Sequence, residues 1–334
     1  MLCRTQTVSL QVIPPMKLLN LYYRLKPLIP HTWRLGLRRK IAKRKLATSS
    51  DVWPINETAA RQPAWWSGWP NGKKFAFVLT HDVEGQKGME QSQALAKLEI
   101  DLGFRSAFNF VPEGQYDLPN SLREFLIENG FEIGVHDLHH DGTLYRSEED
   151  FRKSAVRINQ HLSRWKAVGF RSAFMFHNLD WLKQLNVLYD ASTFDTDPFE
   201  PQSDGAGTIF PFWVERADGS HYVELPYTLA QDSTLYLVLG ETTNYIWKKK
   251  LDWVAEHGGM ALVNVHPDYI AFETQAGRTE FPVQLYGDFL RYVSSRYGRT
   301  AWFGLPREVA EFVNLSRSVF EVPVMSSTTH SERQ

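Results

Sequence analysis

The chain has 334 residues, of which 43% are hydrophobic and 22% are charged, and this composition excludes a disordered or low-complexity polymer. The length accommodates either two average domains or one α/β barrel. Cys3 is the single cysteine, which excludes an internal disulfide framework and a metal site built from several thiolates. A bound metal would therefore need histidine and carboxylate ligands.

The formal net charge of -1 conceals a strongly basic N-terminal segment. Residues 1–50 contain eleven Lys and Arg and no Asp or Glu, which leaves 26 cations and 38 acids, a charge of -12, for residues 51–334. Residues 16–46 intersperse cations with Leu, Ile, Tyr and Trp, as segments that lie on a membrane surface do. We expect peripheral contact with an anionic membrane and no nucleic acid, although a solvated packing arm has the same composition.

Two absences in the sequence bear on location. No stretch approaches the length of uncharged apolar sequence that a transmembrane helix requires. The first fifteen residues also lack the apolar region and small-residue cleavage site of a secretory signal. The sequence therefore predicts a cytoplasmic protein, with attachment to the inner face of the membrane left open.

The chain divides into four predicted regions. They are a basic amphipathic arm (residues 1–50), a Pro- and Trp-rich linker (51–72), a folded barrel (73–315) and a polar tail (316–334).

Apolar runs and helical patterns alternate in the folded region. The predicted strands cover residues 75–80, 106–111, 131–135, 169–173, 188–192, 222–226, 260–265 and 300–303. The predicted helices cover residues 91–102, 118–129, 147–165, 244–256 and 283–297. This alternation predicts an α/β fold, and seven or eight strands favour a closed βα barrel over an open sheet.

Polar groups follow several predicted strands. They are Asp82 and Glu84 after the first strand, His136 and His140 after the third, Arg171 in the fourth, and His266 after the seventh. Because the carboxyl ends of the strands in a parallel barrel open on one face, we expect these groups to converge there.

The spacing within each pair suggests a hydrolytic metal site. His136 and His140 are four residues apart, which would place both imidazoles on one side of a helical turn. A solvated or helix-capping pair is the alternative. Asp82 and Glu84 would point to the same side of an extended segment, where one could bind metal and the other act as a base, unless either caps the following helix. Two histidines, one carboxylate and a water form a recurrent hydrolytic zinc site.

Arg171 and His266 complete the predicted pocket. Arg171 lies in an otherwise apolar strand, so its charge needs a buried partner or an exit to solvent at the barrel rim. We expect it to pair with Asp82, which would lower the pKa of that carboxyl and fix its orientation. His266 is placed to reach the pocket, with a core histidine bonded to the backbone as the alternative.

In their order along the chain, these motifs resemble those of the metal-dependent polysaccharide deacetylases of carbohydrate esterase family four, over residues 73–270. The resemblance implies a distorted (β/α)7 barrel with one divalent cation, commonly zinc. It implies the removal of N- or O-acetyl groups from a polysaccharide or oligosaccharide, and a place in exopolysaccharide biosynthesis.

The resemblance also implies a role for each of these residues. Asp82 would be the catalytic base, Arg171 its partner and His266 the general acid. Glu84, His136 and His140 would be the metal ligands. The spacing of the first motif leaves open the exchange of Asp82 and Glu84, and a backbone N–H near Tyr145 would stabilise the oxyanion.

The sequence departs from the family pattern at three places. The first motif normally has two adjacent aspartates, whereas Val83 separates the two acids here. The family's Pro-Tyr after the arginine is replaced by residues 172–174, which read Ser-Ala-Phe. The fourth motif has no unique match, and its candidates are Asp195, Asp197 and Trp213.

Two aromatic segments, residues 194–199 and 225–227, would either shape a sugar groove or pack as ordinary loops. Two other functions stay open. One is a metal-dependent amidohydrolase acting on a non-sugar amide of the ureide type. The other is a non-catalytic module, associated with a glycan or a membrane, that keeps the barrel.

Overall fold

The computed structural model of the protein describes residues 31–273 and 275–320. Residues 1–30, which hold most of the predicted basic arm, and residues 321–334 of the predicted tail lie outside the described residues. The first half of the predicted membrane segment, residues 16–30, is therefore also outside them.

The strands alternate with helices along the barrel. The strands are β1 (Phe75–Val83), β2 (Ala107–Phe110), β3 (Glu132–His136), β4 (Gly169–Arg171), β5 (Tyr189–Asp190), β6 (Phe212–Glu215), β7 (His221–Glu224), β8 (Met260–Asn264), β9 (Ile270–Ala271), β10 (Phe281–Pro282) and β11 (Ala301–Phe303). The α-helices are α1 (His31–Thr48), α2 (Gln86–Leu102), α3 (Asn120–Glu128), α4 (Glu148–Trp165), α5 (Leu179–Leu182), α6 (Tyr245–His257), α7 (Val283–Tyr297) and α8 (Pro306–Phe320).

Within the described residues, seven parallel strands close into a barrel. The pairing runs from β8 through β1, β2, β3, β4 and β5 to β7. A parallel bridge between Leu229, just beyond β7, and Val263 of β8 closes the ring. The predicted (β/α)7 barrel is thereby confirmed. Outside the ring, β6 pairs antiparallel with β7, and β11 pairs with the first residues of β1.

The core explains why β1 is continuously apolar at its start. All nine of its residues are buried, because parallel strands are covered by helices on one side and by the barrel interior on the other. Trp247 of α6 and Phe289 of α7 pack outside the strands with their ring centroids 5.0 Å apart. The polar residues that end β1 are therefore enclosed by an apolar core.

The strand register determines which polar side chains meet at the carboxyl ends. In the parallel pairs, Asp82 lies opposite Asn109, and Thr80 lies opposite Asn264. His136 of β3 lies opposite Arg171 of β4 in the same way. These paired positions all lie toward the carboxyl ends of their strands, so the barrel brings them to one face.

The predicted linker, residues 51–72, lies on the barrel. Trp53 and Trp69 are buried, and the Trp69 indole donates a hydrogen bond to the Gly258 carbonyl at 2.8 Å. At the other end of the chain, α8 continues through the predicted boundary at residue 315. None of the helices in the described part of the chain is long and apolar enough to cross a membrane.

Candidate metal centre and catalytic site

Asp82 is held in one orientation at the end of β1. Its Oδ1 accepts hydrogen bonds from the Asn109 amide at 2.9 Å and from Arg171 at 3.3 Å, and its Oδ2 accepts one from the Asn264 amide at 2.8 Å. Burial opposes ionisation, but the positive charge of Arg171, with that of His266 nearby, holds the pKa of Asp82 well below its usual range. Asp82 is therefore a fixed, ionised carboxylate.

Gly134 makes the hydrogen bond between Asn109 and Asp82 possible. A Cβ at Gly134 of β3 would lie 2.0 Å from the Asn109 Oδ1, so a larger residue there would displace the amide that binds Asp82.

Arg171 is buried at the centre of the polar cluster, as predicted. One guanidinium nitrogen, Nη1, donates to Thr80 Oγ1 at 2.8 Å and to Asn264 Oδ1 at 2.6 Å, in addition to Asp82. Its Nε donates to the Ala191 carbonyl at 2.7 Å. These contacts give the buried charge the partner that the sequence requires.

Glu84 lies just beyond β1 and its side chain is 23% exposed. Its Oε1 is 3.2 Å from His140 Nε2 and 3.8 Å from His266 Nε2, and its Oε2 accepts a hydrogen bond from Tyr269 at 2.5 Å. Burial opposes ionisation here too, but His140 and His266 hold the pKa of Glu84 well below its usual range.

The two histidines of the predicted pair do meet, but not through a helical turn. Their ring centroids are 5.0 Å apart. The expected helical turn is wrong, because residues 137–140 form an irregular loop in which Asp137 and His140 both have a φ of 55°. The left-handed backbone, rather than the helical period, brings the imidazoles together.

The tautomer of His136 points its lone pair into the site. Its Nδ1 is 3.0 Å from the Arg171 carbonyl oxygen, which can only accept, so Nδ1 carries the proton. Burial lowers the pKa of His136 and favours the neutral ring. Its Nε2 is buried and has no hydrogen-bond partner among the described residues. A lone pair in this setting fits a cation.

Glu84, His136 and His140 form a candidate ligand set, because one ligand atom from each lies within 4.8 Å of the others. Two imidazoles and one carboxylate suit a divalent cation such as Zn²⁺. Asp82 is not part of this set, which favours its assignment as the base rather than as a ligand.

His266 is paired with a residue that sequence reasoning missed. Its Nδ1 is 2.6 Å from Asp232 Oδ1, and its backbone N–H donates to Asp232 Oδ2 at 2.8 Å. Burial favours the neutral ring, but the Asp232 carboxylate outweighs it and raises the pKa of His266 to about 10. His266 is therefore cationic at neutral pH, and the alternative of a core histidine bonded to the backbone does not describe it.

The candidates for the fourth motif occupy other places. Asp195 forms a buried ion pair with Lys250 at 2.6 Å, and Asp197 accepts a hydrogen bond from Tyr227 at 2.9 Å. Trp213 packs against Trp65 with centroids 4.2 Å apart. None of these three contacts reaches the candidate ligand set.

The aromatic segments pack inside the protein. Phe194 and Tyr227 are at most 1% exposed, and Phe199 packs edge-on against Trp53. Their packing role, one of the two alternatives, is the one that the structure supports. Near the site, the Tyr145 hydroxyl lies 2.6 Å from Ser172 Oγ.

No protein-family model matches the chain, and no curated protein matches it. Solved structures do. The putative polysaccharide deacetylase from Mycobacterium smegmatis is 20% identical, with a TM-score of 0.58 over 77% of this chain and 96% of that chain. This likeness agrees with the (β/α)7 fold.

Two further solved structures superpose less well. Peptidoglycan deacetylase PdaC from Bacillus subtilis is 13% identical, with a TM-score of 0.42 over 76% of this chain and 96% of that chain. A putative polysaccharide deacetylase involved in O-antigen biosynthesis, from Bordetella bronchiseptica, is 17% identical, with a TM-score of 0.42 over 75% of this chain and 93% of that chain.

Proposed function

We propose that the chain is a polysaccharide deacetylase, a hydrolase that uses one divalent cation, Zn²⁺, to remove acetyl groups from an N- or O-acetylated glycan. The observation that carries the proposal is the meeting of three ligand side chains with a fixed carboxylate and a cationic histidine at the carboxyl end of one barrel. The fold shared with the mycobacterial putative deacetylase supports it.

The cation would be held by Glu84, His136 and His140. When bound, it would polarise the acetyl carbonyl and lower the pKa of a water molecule. The chain supplies the geometry for this. The Arg171 carbonyl fixes the His136 ring, and Tyr269 fixes the Glu84 carboxylate.

Asp82 would take the proton from the attacking water. Its carboxylate stays ionised because of Arg171, and two amides hold it in one rotamer, so little reorganisation is needed at the moment of proton transfer. A backbone N–H near Tyr145 remains our prediction for oxyanion stabilisation.

His266 would protonate the leaving nitrogen or oxygen of the sugar. The Asp232 carboxylate keeps the imidazole in its cationic form and orients the ring through Nδ1, which leaves the Nε2 proton to be donated. The residues thus supply a base and an acid in opposite protonation states. We further propose a cytoplasmic location and a substrate from exopolysaccharide assembly.

The test combines metal analysis with acetate release from a panel of N- and O-acetylated oligosaccharides, using the full chain. We expect about one zinc per chain and released acetate. Asp82→Asn should retain the metal and lose activity by about 100-fold or more, whereas Glu84→Gln should lose the metal. Asp141→Asn removes an exposed carboxylate next to His140 and serves as the matched control, with both properties unchanged.

Other outcomes would redirect the proposal. Metal loss in Asp82→Asn with retention in Glu84→Gln would exchange the two roles. Turnover of ureides without acetate release would identify the amidohydrolase alternative. Glycan binding with bound metal and no hydrolysis of any substrate in the panel would identify a non-catalytic module.

A further inference from the structure

The basic helix α1 docks on the barrel through the side that carries residues 39, 42 and 45. Arg39 Nε donates to the Leu237 carbonyl at 2.8 Å, and Lys45 Nζ donates to the Pro198 carbonyl at 2.6 Å. Ala42, midway between them in sequence, is 3% exposed. Residues three apart share one side of a helix, so these contacts define the docked side.

The docking site lies at the catalytic end of the barrel. Pro198 belongs to the loop that follows β5, and Leu237 belongs to the short helical segment Ser233–Leu239, which follows β7. That segment begins directly after Asp232, the partner of His266. The helix is thus fixed beside the candidate active site.

The opposite side of α1 is exposed, basic and partly apolar. Leu37 and Ile41 are 58% and 47% exposed, and Lys40, Lys43 and Arg44 are exposed around them. The spacing of residues 37, 40, 41 and 44 places them on one side of the helix. No Asp or Glu occurs in α1.

We propose that this outward side of α1 binds an anionic phospholipid surface. Lys40 and Arg44 on this side, with the exposed Lys43 at its flank, complement the lipid phosphates, and the two aliphatic side chains can enter the boundary between headgroups and acyl chains. A nucleic-acid backbone would satisfy the cations but would leave Leu37 and Ile41 in water, so the apolar pair favours lipid. The proposal concerns binding and does not depend on the proposed hydrolysis.

Because the proposed attraction to lipid is mainly electrostatic, its dependence on salt and on lipid charge tests the proposal. The full chain would be co-sedimented with vesicles of phosphatidylcholine alone and of phosphatidylcholine with phosphatidylglycerol. We expect binding to the anionic vesicles at low salt and strong weakening at 0.5 M salt. The triple variant Lys40→Gln, Lys43→Gln, Arg44→Gln should lower the partition coefficient by about 100-fold.

The matched control removes three exposed cations elsewhere, with Arg152→Gln, Lys153→Gln and Arg291→Gln, and should bind like the parent. The double variant Leu37→Ser, Ile41→Ser should lose whatever binding survives at high salt.

Equal binding by the parent and the α1 triple variant would overturn the proposal, as would no binding by the parent. The proposal would also be overturned, in favour of nucleic acid, if the parent bound a 20-base-pair duplex as tightly as it binds anionic vesicles and the double variant changed neither affinity. Circular dichroism of each variant would establish that it is folded.

Discussion

Asp268 fixes the backbone of the proposed metal ligand Glu84. Its carboxylate accepts hydrogen bonds from the backbone N–H of Glu84 at 2.9 Å, Gly85 at 2.9 Å and Gly88 at 3.2 Å. A Cβ at position 88 would lie 2.0 Å from the Asp268 Oδ2, so glycine is required for this close approach. Asp268 thereby caps α2 and sets the position from which Glu84 reaches the site.

We expect Asp268→Ala to weaken zinc binding by about 10- to 100-fold, because Glu84 would lose the contacts that position it. Asp268→Asn should lose less, since its single oxygen still accepts one or two of these hydrogen bonds. Zinc affinity would be measured by competition with a chelator of known affinity. Asp288→Ala, at an exposed site on α7, is the control. A variant that is less stable but binds zinc like the parent would reduce Asp268 to a structural cap.

The sequence predicts several candidate-site residues that end or follow strands, and among those it misses are Asp232 and Asn264. Asp82, His136 and His266 could be identified because each ends or follows an apolar run, and the carboxyl ends of parallel strands meet. Asp232 lies in a segment without clear periodicity, 34 positions from its partner, so only the folded chain brings the two together. Asn264 ends β8, but its role depends on the strand register that places it near Asp82.

A buried carboxylate links three elements at the opposite, amino-terminal end of the barrel. Glu132, the first residue of β3, accepts hydrogen bonds from the Tyr189 hydroxyl of β5 at 2.9 Å and from the backbone N–H of Arg307 in α8 at 3.0 Å. Burial raises the pKa of Glu132 to about 7, against an ordinary value of 4.5. The folded state therefore binds this proton more tightly than the unfolded state does.

The sign of the resulting pH dependence is fixed. Between about pH 4.5 and 7, Glu132 is deprotonated in the unfolded chain but still protonated in the folded chain. The contribution of this group to the free energy of unfolding therefore falls as pH rises, by about 3 kcal/mol in total. Above about pH 7 the contribution no longer changes. Glu132→Gln should flatten the curve over this range. Urea unfolding at half-unit pH steps would measure it, with the exposed Glu128→Gln as control. Parallel curves for the parent and Glu132→Gln would contradict the prediction.

At the scale of elements, periodicity decides what the sequence can predict. The helix predicted at residues 283–297 matches α7 to the residue, because its apolar spacing repeats over four turns. By contrast, β5 has only two residues, and the loop between His136 and His140 depends on left-handed backbone that no spacing rule predicts. Helix α8 is not among the predicted helices, although its residues 306–315 lie within the predicted barrel region.

Over the whole molecule, charge is divided between a basic N-terminal arm and an acidic body, and the described part of the arm, α1, packs at the catalytic end of the barrel. The first 50 residues carry eleven cations and the remainder a charge of -12. An anionic surface would repel the body and attract the arm, and would therefore turn the molecule with α1 toward it. Since α1 contacts the segment Ser233–Leu239, which begins directly after Asp232, the partner of His266, we expect this orientation to bring the candidate active site near the surface as well.

Together with the proposed deacetylation, this arrangement predicts that the chain acts best on acetylated glycans that are themselves anchored to a membrane. On vesicles containing phosphatidylglycerol and a lipid-tethered acetylated oligosaccharide, enzyme and substrate share one surface, which raises their effective concentration. The apparent KM of the parent should fall at least about 10-fold relative to the free oligosaccharide, with little change in kcat. Acetate release would be measured at low and high salt.

The triple variant Lys40→Gln, Lys43→Gln, Arg44→Gln separates attachment from chemistry. It should hydrolyse the free oligosaccharide at the parent's rate, because none of the three side chains belongs to the candidate site, and should lose the advantage on tethered substrate. High salt should remove the same advantage from the parent by screening the lipid charge. If the variant still has a lower KM for the tethered than for the free oligosaccharide at low salt, the enrichment of the protein at the vesicle surface does not come from α1. Absence of acetate release from the free sugar would instead contradict the proposed hydrolysis, so the two failures are distinguishable.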